Sequence, residues 1–175
     1  FNPDDIIFTA EKLLNTFSEK DISQIIKNYG EERYHRRIAK AIILKRKKKR
    51  IQTTFDLKDI IFSAVPYKST KILSRVFQAI RIAVNNEIKT FTNTLSASTK
   101  YLKIGGRIAV ISFHSIEDRI VKHFFKDNSK YSNNDTVQLK IITKKPIVAQ
   151  REEIETNRRS KSAKLRIAER IAWKE

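Results

Sequence analysis

A short apolar run at residues 107–113, RIAVISF, constrains the fold of this chain more than any other feature. It follows the pair Gly105-Gly106 and is almost continuously apolar, which is typical of a strand buried on both faces, as in the parallel sheets of α/β proteins. Ser115 and Asp118 then have the spacing of a capping box, so a helix is predicted to begin there. The sequence therefore predicts a strand–helix unit of the α/β class.

The residues before this strand have the periodicity of helices. Ser18 with Asp21, and Thr53 with Asp56, have the spacing of capping pairs that satisfy the free amides at a helix start. Between residues 77 and 91, apolar side chains recur at spacings of 3, 4, 4 and 3. Such spacing predicts one face of a long helix.

Two further strands are predicted after the first, at residues 137–143 and 162–170. The fold class is therefore α/β, with a helical domain over residues 1–98 and part of an α/β domain over residues 99–175. A parallel-type strand needs neighbouring strands that this layout does not supply. Because the chain also contains no methionine, we expect a fragment or a processed chain.

The charge of the chain indicates a polyanionic partner. The formal net charge is +18, from 37 Lys and Arg against 19 Asp and Glu, which favours a nucleic acid or an anionic membrane surface. Residues 45–50 are six consecutive basic side chains, and residues 156–168 contain five with no acid. Clustering of this kind suits phosphate contacts. The alternatives are a lysine-rich composition that serves only solubility and, for residues 45–50, a solvated helix end, which explains roughly two or three cations rather than six.

Several classes of protein and site are not indicated. The chain has no cysteine, which excludes a disulfide framework and a cysteine zinc site, and no acidic or histidine cluster at ligand spacing predicts a metal. No segment approaches the roughly 18–20 apolar residues of a membrane helix, and no signal-peptide pattern opens the chain. The absence of cysteine fits a reducing compartment. We expect a cytoplasmic protein without a membrane partner, and the oligomeric state is left open.

His114 and Ser115 are the residues best placed to carry chemistry. Ligands of open α/β sheets bind beyond the carboxyl ends of the strands, where the next helix offers free amides, and these two residues occupy that position. The simpler interpretation makes Ser115 a helix cap and His114 a hydrogen-bonded turn residue, and spacing alone favours it. A Ser115–His114–Asp118 catalytic triad is a third alternative, although adjacent chain positions rarely converge in that way.

Four segments of the chain match one protein family in the family's order. They are NYGEERYHRRIAKAI (28–42), SRVFQAIRIAVNNEI (74–88), GGRIAVISFHSIEDRIVKHFF (105–125) and NRRSKSAKLRIAER (157–170). In these segments the chain resembles the bacterial 16S rRNA methyltransferase H family, in which the second and fourth read TRTFQALRIAVNDEL and NPRARSAKLRVAER. The chain departs from the family where Lys71-Ile72-Leu73-Ser74 replaces His-Pro-Ala-Thr and where Arg158 replaces a proline. The first departure puts the role of that loop in substrate positioning in doubt.

The resemblance implies a Rossmann-like methyltransferase domain with an all-helical domain inserted in it. It implies S-adenosylmethionine-dependent methylation of the exocyclic N4 amine of a cytidine in the 16S rRNA of the small ribosomal subunit. Residues 1–98 correspond to the inserted substrate-recognition domain and residues 99–175 to the C-terminal part of the catalytic domain. The family's main donor contacts belong to a segment before this chain, so we expect S-adenosylmethionine to be bound mainly by that segment and the isolated chain to be inactive. The alternative is a non-catalytic, basic RNA-binding or ribosome-associated protein derived from such an enzyme.

The same resemblance implies roles for individual residues. Phe113, His114 and Ser115 are expected to line a base pocket, with Phe113 available for stacking, while Asp118 and Arg119 shape the pocket or contact RNA. Apart from the resemblance, the two basic clusters and the polar side chains of the helix at 74–88 are expected to contact RNA. These residues are Arg75, Gln78, Arg81, Asn85, Lys47, Lys48, Arg159, Lys161, Ser162, Lys164 and Arg166.

Overall fold

The structure is a computed structural model that describes residues 8–129 and 138–171. The chain divides into two compact units, Phe1–Glu87 and Ile88–Glu175. The domains predicted from the sequence divide after residue 98 instead, and that assignment of domains stays a prediction. Helices build the first unit and the second adds a sheet, so the α/β class is confirmed.

Five helices form the described part of the first unit. They are α1 (Ala10–Thr16), α2 (Glu19–Gly30), α3 (His35–Arg46), α4 (Thr54–Ala64) and α5 (Thr70–Val84). Both predicted caps are confirmed: the Ser18 hydroxyl accepts from the amide of Asp21 at 3.1 Å, and Thr53 with Asp56 forms a complete capping box. These side chains fix where α2 and α4 begin, because the first amides of a helix have no partner within it.

The core of the first unit forms where α2 and α5 cross. Ile26 of α2 and Val76 of α5 are fully buried in it, and burial of such a side chain contributes about 1.5–3 kcal/mol. A Cβ at Gly30 would lie 2.6 Å from the carbonyl oxygen of Arg75. The absence of a side chain at Gly30 therefore permits this close approach of the two backbones.

The second unit is built around a small antiparallel sheet. Its elements are α6 (Glu87–Tyr101), β1 (Arg107–Ser112), α7 (Ser115–Asp127), β2 (Leu139–Ile141), β3 (Ile147–Val148), α8 (Arg151–Thr156), a 3₁₀ helix (Arg158–Ser162) and β4 (Lys164–Arg170). β4 is the central strand, with β1 along one edge and with β2 and β3 along the other.

β1 confirms the predicted strand, but its partner in this chain, β4, runs antiparallel to it, and only one face of β1 is covered. Val110 lies opposite Arg166 and Ile111 opposite Leu165 in an antiparallel register with β4. Successive side chains of a strand point to opposite faces, and Ile111 is 57% exposed where its neighbours are covered. The apolar run hides this alternation because nearly every residue on either face is apolar or small.

The other two predicted strands are shorter than expected. The segment at 137–143 contains β2, although residue 137 lies outside the described residues, and the segment at 162–170 contains β4. The residues just before β4 form the 3₁₀ helix, because Asn157 caps Arg159 and starts a tight turn.

One face of the sheet is covered by helices. Leu95 of α6, Val121 and Phe125 of α7, Leu139 of β2 and Ala168 of β4 form its buried core. α7 contacts β1, β2 and β4, and so its first turn is held directly beyond the end of β1.

Candidate functional site

The turn between β1 and α7 is held by a capping box that differs from the predicted one. His114, not Ser115, is the N-cap: its Nδ1 accepts from the amide of Glu117 at 3.2 Å. In return, the Glu117 carboxylate accepts from the amides of Phe113 at 2.8 Å and His114 at 3.3 Å. The prediction that Ser115 and Asp118 form this box is therefore wrong, because α7 begins one residue earlier than expected and an imidazole replaces the hydroxyl.

The His114 ring therefore contacts groups of the turn itself. With Nδ1 as an acceptor, the neutral ring carries its proton on Nε2, and Nε2 lies 3.3 Å from the Glu117 carboxylate. The side chain is largely buried against this partner. The geometry gives His114 the role of fixing the backbone that presents Phe113 and Ser115.

Asp118 joins α7 to β4 through two cations. Its carboxylate accepts from Arg166 at 2.7 and 3.3 Å and from Lys164 at 3.3 Å. Arg166 is only 7% exposed, so its guanidinium is directed at Asp118 rather than at solvent. Burial acts to raise the pKa of Asp118, but the hydrogen bonds and charges of Arg166 and Lys164 outweigh it and hold that pKa below its usual value.

Two of the predicted motifs meet at the same end of the sheet. Ser112, the last residue of β1, is the register partner of Lys164, the first residue of β4. Phe113 follows the first strand and is 56% exposed, and the 3₁₀ helix Arg158–Ser162 precedes the second. The structure thus brings together predicted site residues that are distant in sequence, with Ser115, Arg119, Arg159, Lys161 and Ser162 all exposed at this end.

In the first unit, the residues on α5 and at its C-cap that are expected to contact RNA also bind local partners. Gln78 donates to the carbonyl oxygen of Tyr29 at 3.1 Å, which ties α5 to α2. Arg81 forms a two-pronged ion pair with Glu87 at 2.9 and 3.1 Å, and Asn85 donates to the same carboxylate at 3.1 Å. The exposed guanidinium of Arg81 remains accessible from solvent.

The basic run at residues 45–50 divides into structural and exposed cations. Arg46 donates to the carbonyl oxygens of Leu14 and Phe17 at 2.9 and 2.7 Å, and so it stabilises the end of α1. Lys47 and Lys48 follow α3 and are exposed. The run therefore supplies a cationic surface that is smaller than its six charges indicate.

Sequence reasoning missed two carboxylates that organise these regions. The Ser115–Asp118 pair has the more common capping pattern and masks Glu117, although His114 and Glu117 have the same three-residue spacing. Glu32, 2% exposed, accepts from the amide of Tyr34 at 3.0 Å and pairs with Arg75 at 3.4 Å. No signal in the sequence distinguishes this buried glutamate from its exposed neighbour Glu31.

Other classes of site find no support among residues 8–129 and 138–171. No group of three or more histidines and carboxylates there is arranged to hold a metal ion. No helix in the same residues is long and apolar enough to cross a membrane.

Known proteins resemble this chain over almost its whole length. The model of the MraW methylase family matches residues 2–171. The ribosomal RNA small subunit methyltransferase H of Caldicellulosiruptor saccharolyticus is 49% identical, with 93% of this chain and 57% of the relative covered. Those of Carboxydothermus hydrogenoformans and Clostridioides difficile are 46% and 43% identical, each with 94% of this chain and 57% of the relative covered. The chain thus spans a little over half of the length of these relatives.

Proposed function

Because the chain belongs to the MraW methylase family, we propose that it contributes to the S-adenosylmethionine-dependent methylation of a cytidine N4 amine in small-subunit (16S) ribosomal RNA. The proposal rests on one observation. The turn at residues 113–119 and the start of β4 lie together at one end of the sheet. These are two of the segments by which the chain resembles the family, and they come together with an exposed aromatic ring and exposed cations. An rRNA substrate of this kind belongs to the cytoplasm.

The reaction depends mainly on how the target amine is positioned. An exocyclic amine attached to an aromatic ring is a poor nucleophile, so the rate depends on holding it in line with the methyl group and on removing its proton. Phe113 stacks the target base, which must first leave its helical stack. His114 and Glu117 hold the backbone of Phe113, and Ser115 lies at the first turn of α7, facing the same solvent-exposed end.

The ion pairs of Asp118 stabilise the turn between β1 and α7. Arg166 and Lys164 bind the Asp118 carboxylate and so fix α7 against β4. We assign Asp118 and Arg166 to the support of the pocket, with Arg119 exposed beside them on α7. Lys164 remains partly exposed and retains access to RNA phosphate.

The described residues do not fit a site for the methyl donor. A Cβ at Gly106 would lie 2.8 Å from the carbonyl oxygen of Lys103, so this glycine serves a tight turn, and Gly105 has φ of 81° with open space around its Cα. Neither glycine forms a cradle that would approach a ligand. The donor site is therefore assigned to the part of the relatives that this chain does not span, which also makes the isolated chain inactive.

Exposed cations and polar groups on both units account for RNA binding. In the second unit, Arg159, Lys161 and Ser162 surround the end of the sheet. In the first unit, the proposed contacts are Lys47 and Lys48 after α3 together with Arg75, Gln78, Arg81 and Asn85 on α5. Such contacts make RNA affinity fall steeply as the salt concentration rises.

The finer fold assignment follows from the same family membership. The antiparallel sheet of the second unit corresponds to the C-terminal strands of a Rossmann-like methyltransferase domain, over residues 99–175. The helices of residues 1–98 correspond to a domain inserted in it for substrate recognition. The packing of α7 on one face of the sheet supports this assignment.

The test is a chimera that joins this chain to the part of the Caldicellulosiruptor saccharolyticus relative outside the matched 175 residues. Transfer of labelled methyl groups from S-adenosylmethionine to small-subunit rRNA is the expected result. Phe113→Leu should lower kcat/KM about 5- to 150-fold, because base stacking on an aromatic ring contributes about 1–3 kcal/mol. Phe55→Leu, which changes an exposed ring of the first unit, is the matched control.

Two outcomes would overturn parts of the proposal. A chimera that unfolds cooperatively but transfers no methyl group would exclude the activity. Equal rates for Phe113→Leu and Phe55→Leu would exclude base stacking by Phe113 while leaving the activity in place.

A second candidate is a non-catalytic RNA-binding protein derived from such an enzyme. It is favoured by the absence of a donor cradle at the glycines of the described residues. The coding sequence upstream of Phe1 distinguishes the two: an in-frame glycine-rich strand–turn–helix segment indicates the enzyme, and its absence indicates the binding protein.

A further inference from the structure

A polar cavity of about 570 Å³ opens on the first unit where the loop after α4 meets α2 and α5. Its lining includes three cations and a single carboxylate, together with a tyrosine and two hydroxyl residues. These are Arg33, Lys71, Arg75, Glu32, Tyr67, Ser69 and Thr70. A volume of this size is in the range of sites that hold one small ligand.

Arg33 is held in place by two aromatic rings. Its guanidinium carbon lies 4.6 Å from the centre of the Tyr34 ring and 6.0 Å from that of Tyr67, and its Nη2 donates to the Tyr67 hydroxyl at 3.0 Å. The two rings meet edge to face at 6.3 Å. An exposed arginine fixed in this way loses less conformational entropy on binding an anion than a mobile one.

Arg75 is oriented by the buried carboxylate. Glu32 contacts one Nη of Arg75 at 3.4 Å, while about half of the Arg75 side chain remains exposed. The carboxylate is itself held by the amide of Tyr34. Glu32 therefore directs the guanidinium instead of removing it from the cavity.

The remaining cation and the aromatic face complete the site. Lys71 lies in the first turn of α5, where no acidic side chain offsets its charge. Tyr67 is 51% exposed, so part of its ring is open to a planar ligand. Three cations against one carboxylate leave an excess positive charge beside an exposed ring.

We infer that this cavity binds a phosphodiester of single-stranded RNA and that the adjacent base stacks on Tyr67. Guanidinium and ammonium groups bind phosphate oxygens, and exposed aromatic rings stack unpaired bases. An acidic peptide would satisfy the cations but leave the tyrosine ring without a planar partner. The inference rests on the proposed function, which supplies RNA as the polyanion, and it adds a subsite on the first unit to the base pocket proposed on the second.

The experiment measures binding of the chain to a fluorescein-labelled, single-stranded RNA decamer by anisotropy over a series of salt concentrations. The double variant Arg33→Gln/Lys71→Gln should bind about tenfold more weakly at low salt. The slope of log Kd against log salt should fall by about 0.7 for each phosphate that the variant no longer neutralises. Lys12→Gln/Lys20→Gln removes the same charge from exposed positions that do not line the cavity, and it should change neither quantity by more than about twofold.

The stacking step is tested separately at Tyr67. Tyr67→Leu should weaken RNA binding about 5- to 150-fold, whereas Tyr67→Phe keeps the ring and should retain most of the affinity. All of these positions are exposed, so each variant is expected to stay folded, with a small downward shift of the thermal transition only where a contact between Arg33 and Tyr67 is lost.

Three results would overturn the inference. The first is equal RNA binding by the cavity variant and the lysine control. The second is no RNA binding by the wild-type chain at low salt. The third is a poly-glutamate decamer that competes as well as RNA and loses affinity in Arg33→Gln/Lys71→Gln but not in Tyr67→Leu, which would assign the cavity to acidic peptides. Failure of the proposed function gives a different result from failure of this inference. In that case the folded chimera binds RNA through this cavity but transfers no methyl group.

Discussion

Asp118 links α7 to β4 through ion pairs with Arg166 and Lys164. Asp118→Asn leaves Arg166 buried without a charged partner, and breaking such a pair costs about 3–5 kcal/mol. Because asparagine keeps one acceptor oxygen, we expect a loss of about 3 kcal/mol in the free energy of unfolding, measured by urea denaturation. Asp127→Asn at the exposed end of α7 is the control and should change stability by less than about 0.5 kcal/mol. Equal stabilities for the two variants would contradict this assignment.

The same carboxylate makes stability depend on pH in the acid range. The pKa of Asp118 is lower in the folded chain than its ordinary value of about 3.9, so the unfolded chain binds more protons as the pH falls. The stabilisation is therefore complete above about pH 4 and is lost as the pH falls through the folded pKa. Asp118→Asn should flatten this acid limb of a stability–pH curve. Some pH dependence should remain, because Asp56 also contributes to the acid limb: hydrogen bonds from the amide and hydroxyl of Thr53 lower its pKa to about 2.

Substitutions at His114 separate capping from chemistry. Asparagine is a good N-cap and alanine is a poor one, so His114→Ala should lose about 1 kcal/mol of stability while His114→Asn keeps most of it. If His114 acts only by holding the turn, His114→Asn should also retain methyl transfer in the chimera to within a few-fold. A stable His114→Asn chimera with a 100-fold lower kcat would show that the imidazole takes part directly.

At the level of elements, helices were easier to derive from the sequence than strand pairing. Ser18 and Thr53 mark their helices through local chemistry, since a cap involves residues only three positions apart. The pairing of β1 with β4 joins residues that are far apart in the chain and leaves no local mark. An apolar run such as RIAVISF is compatible with burial on one face or on two, and tertiary packing decides between them.

The close approach of α2 and α5 at Gly30 can be tested by adding a single methyl group. Gly→Ala near a helix end ordinarily stabilises a protein by about 0.4–1 kcal/mol, because it restricts the unfolded chain. At Gly30 the sign should reverse, since the new Cβ would lie 2.6 Å from the rigid backbone oxygen of Arg75. We expect Gly30→Ala to lower the free energy of unfolding by about 2 kcal/mol in urea denaturation. Asn28→Ala, exposed on the same helix, is the control, and a stabilised Gly30→Ala would rule out the close approach.

At the level of the whole molecule, the sequence indicates the family and the end of the sheet where the site residues lie. It does not indicate which of these residues stabilise the fold and which are exposed to a ligand. Arg166 was expected to bind RNA, yet it is buried against Asp118, because a charge on the covered face of a sheet must find a partner there. Arg33 and Tyr67 were not expected at all, since their contact depends on how the loop after α4 folds back on α2. Charge composition predicts a polyanionic partner and leaves the positions of contact to the tertiary structure.

The second unit exposes an apolar sheet face that a longer protein has reason to cover. Ile111 of β1 and Ile147 of β3 both lie opposite Leu165 of β4, and both isoleucines are more than half exposed. Contiguous apolar surface of this kind is unusual for a chain that acts alone. The relatives contain further polypeptide beyond the part that this chain matches, and we expect some of it to pack on this face.

An environment-sensitive dye tests that assignment on the intact chain. The chain as it stands should bind 8-anilinonaphthalene-1-sulfonate with a strong rise in fluorescence, and the chimera should show a much smaller rise because its added polypeptide packs on the face. Ile111→Thr keeps a β-branched residue in β1 and should lower the dye signal of the chain with little change in its thermal transition. Ile42→Thr, at a fully buried position of the first unit, is the contrasting variant, since it should destabilise the fold and raise the signal. Equal dye fluorescence from the chain and the chimera would mean that this sheet face stays exposed in the longer protein.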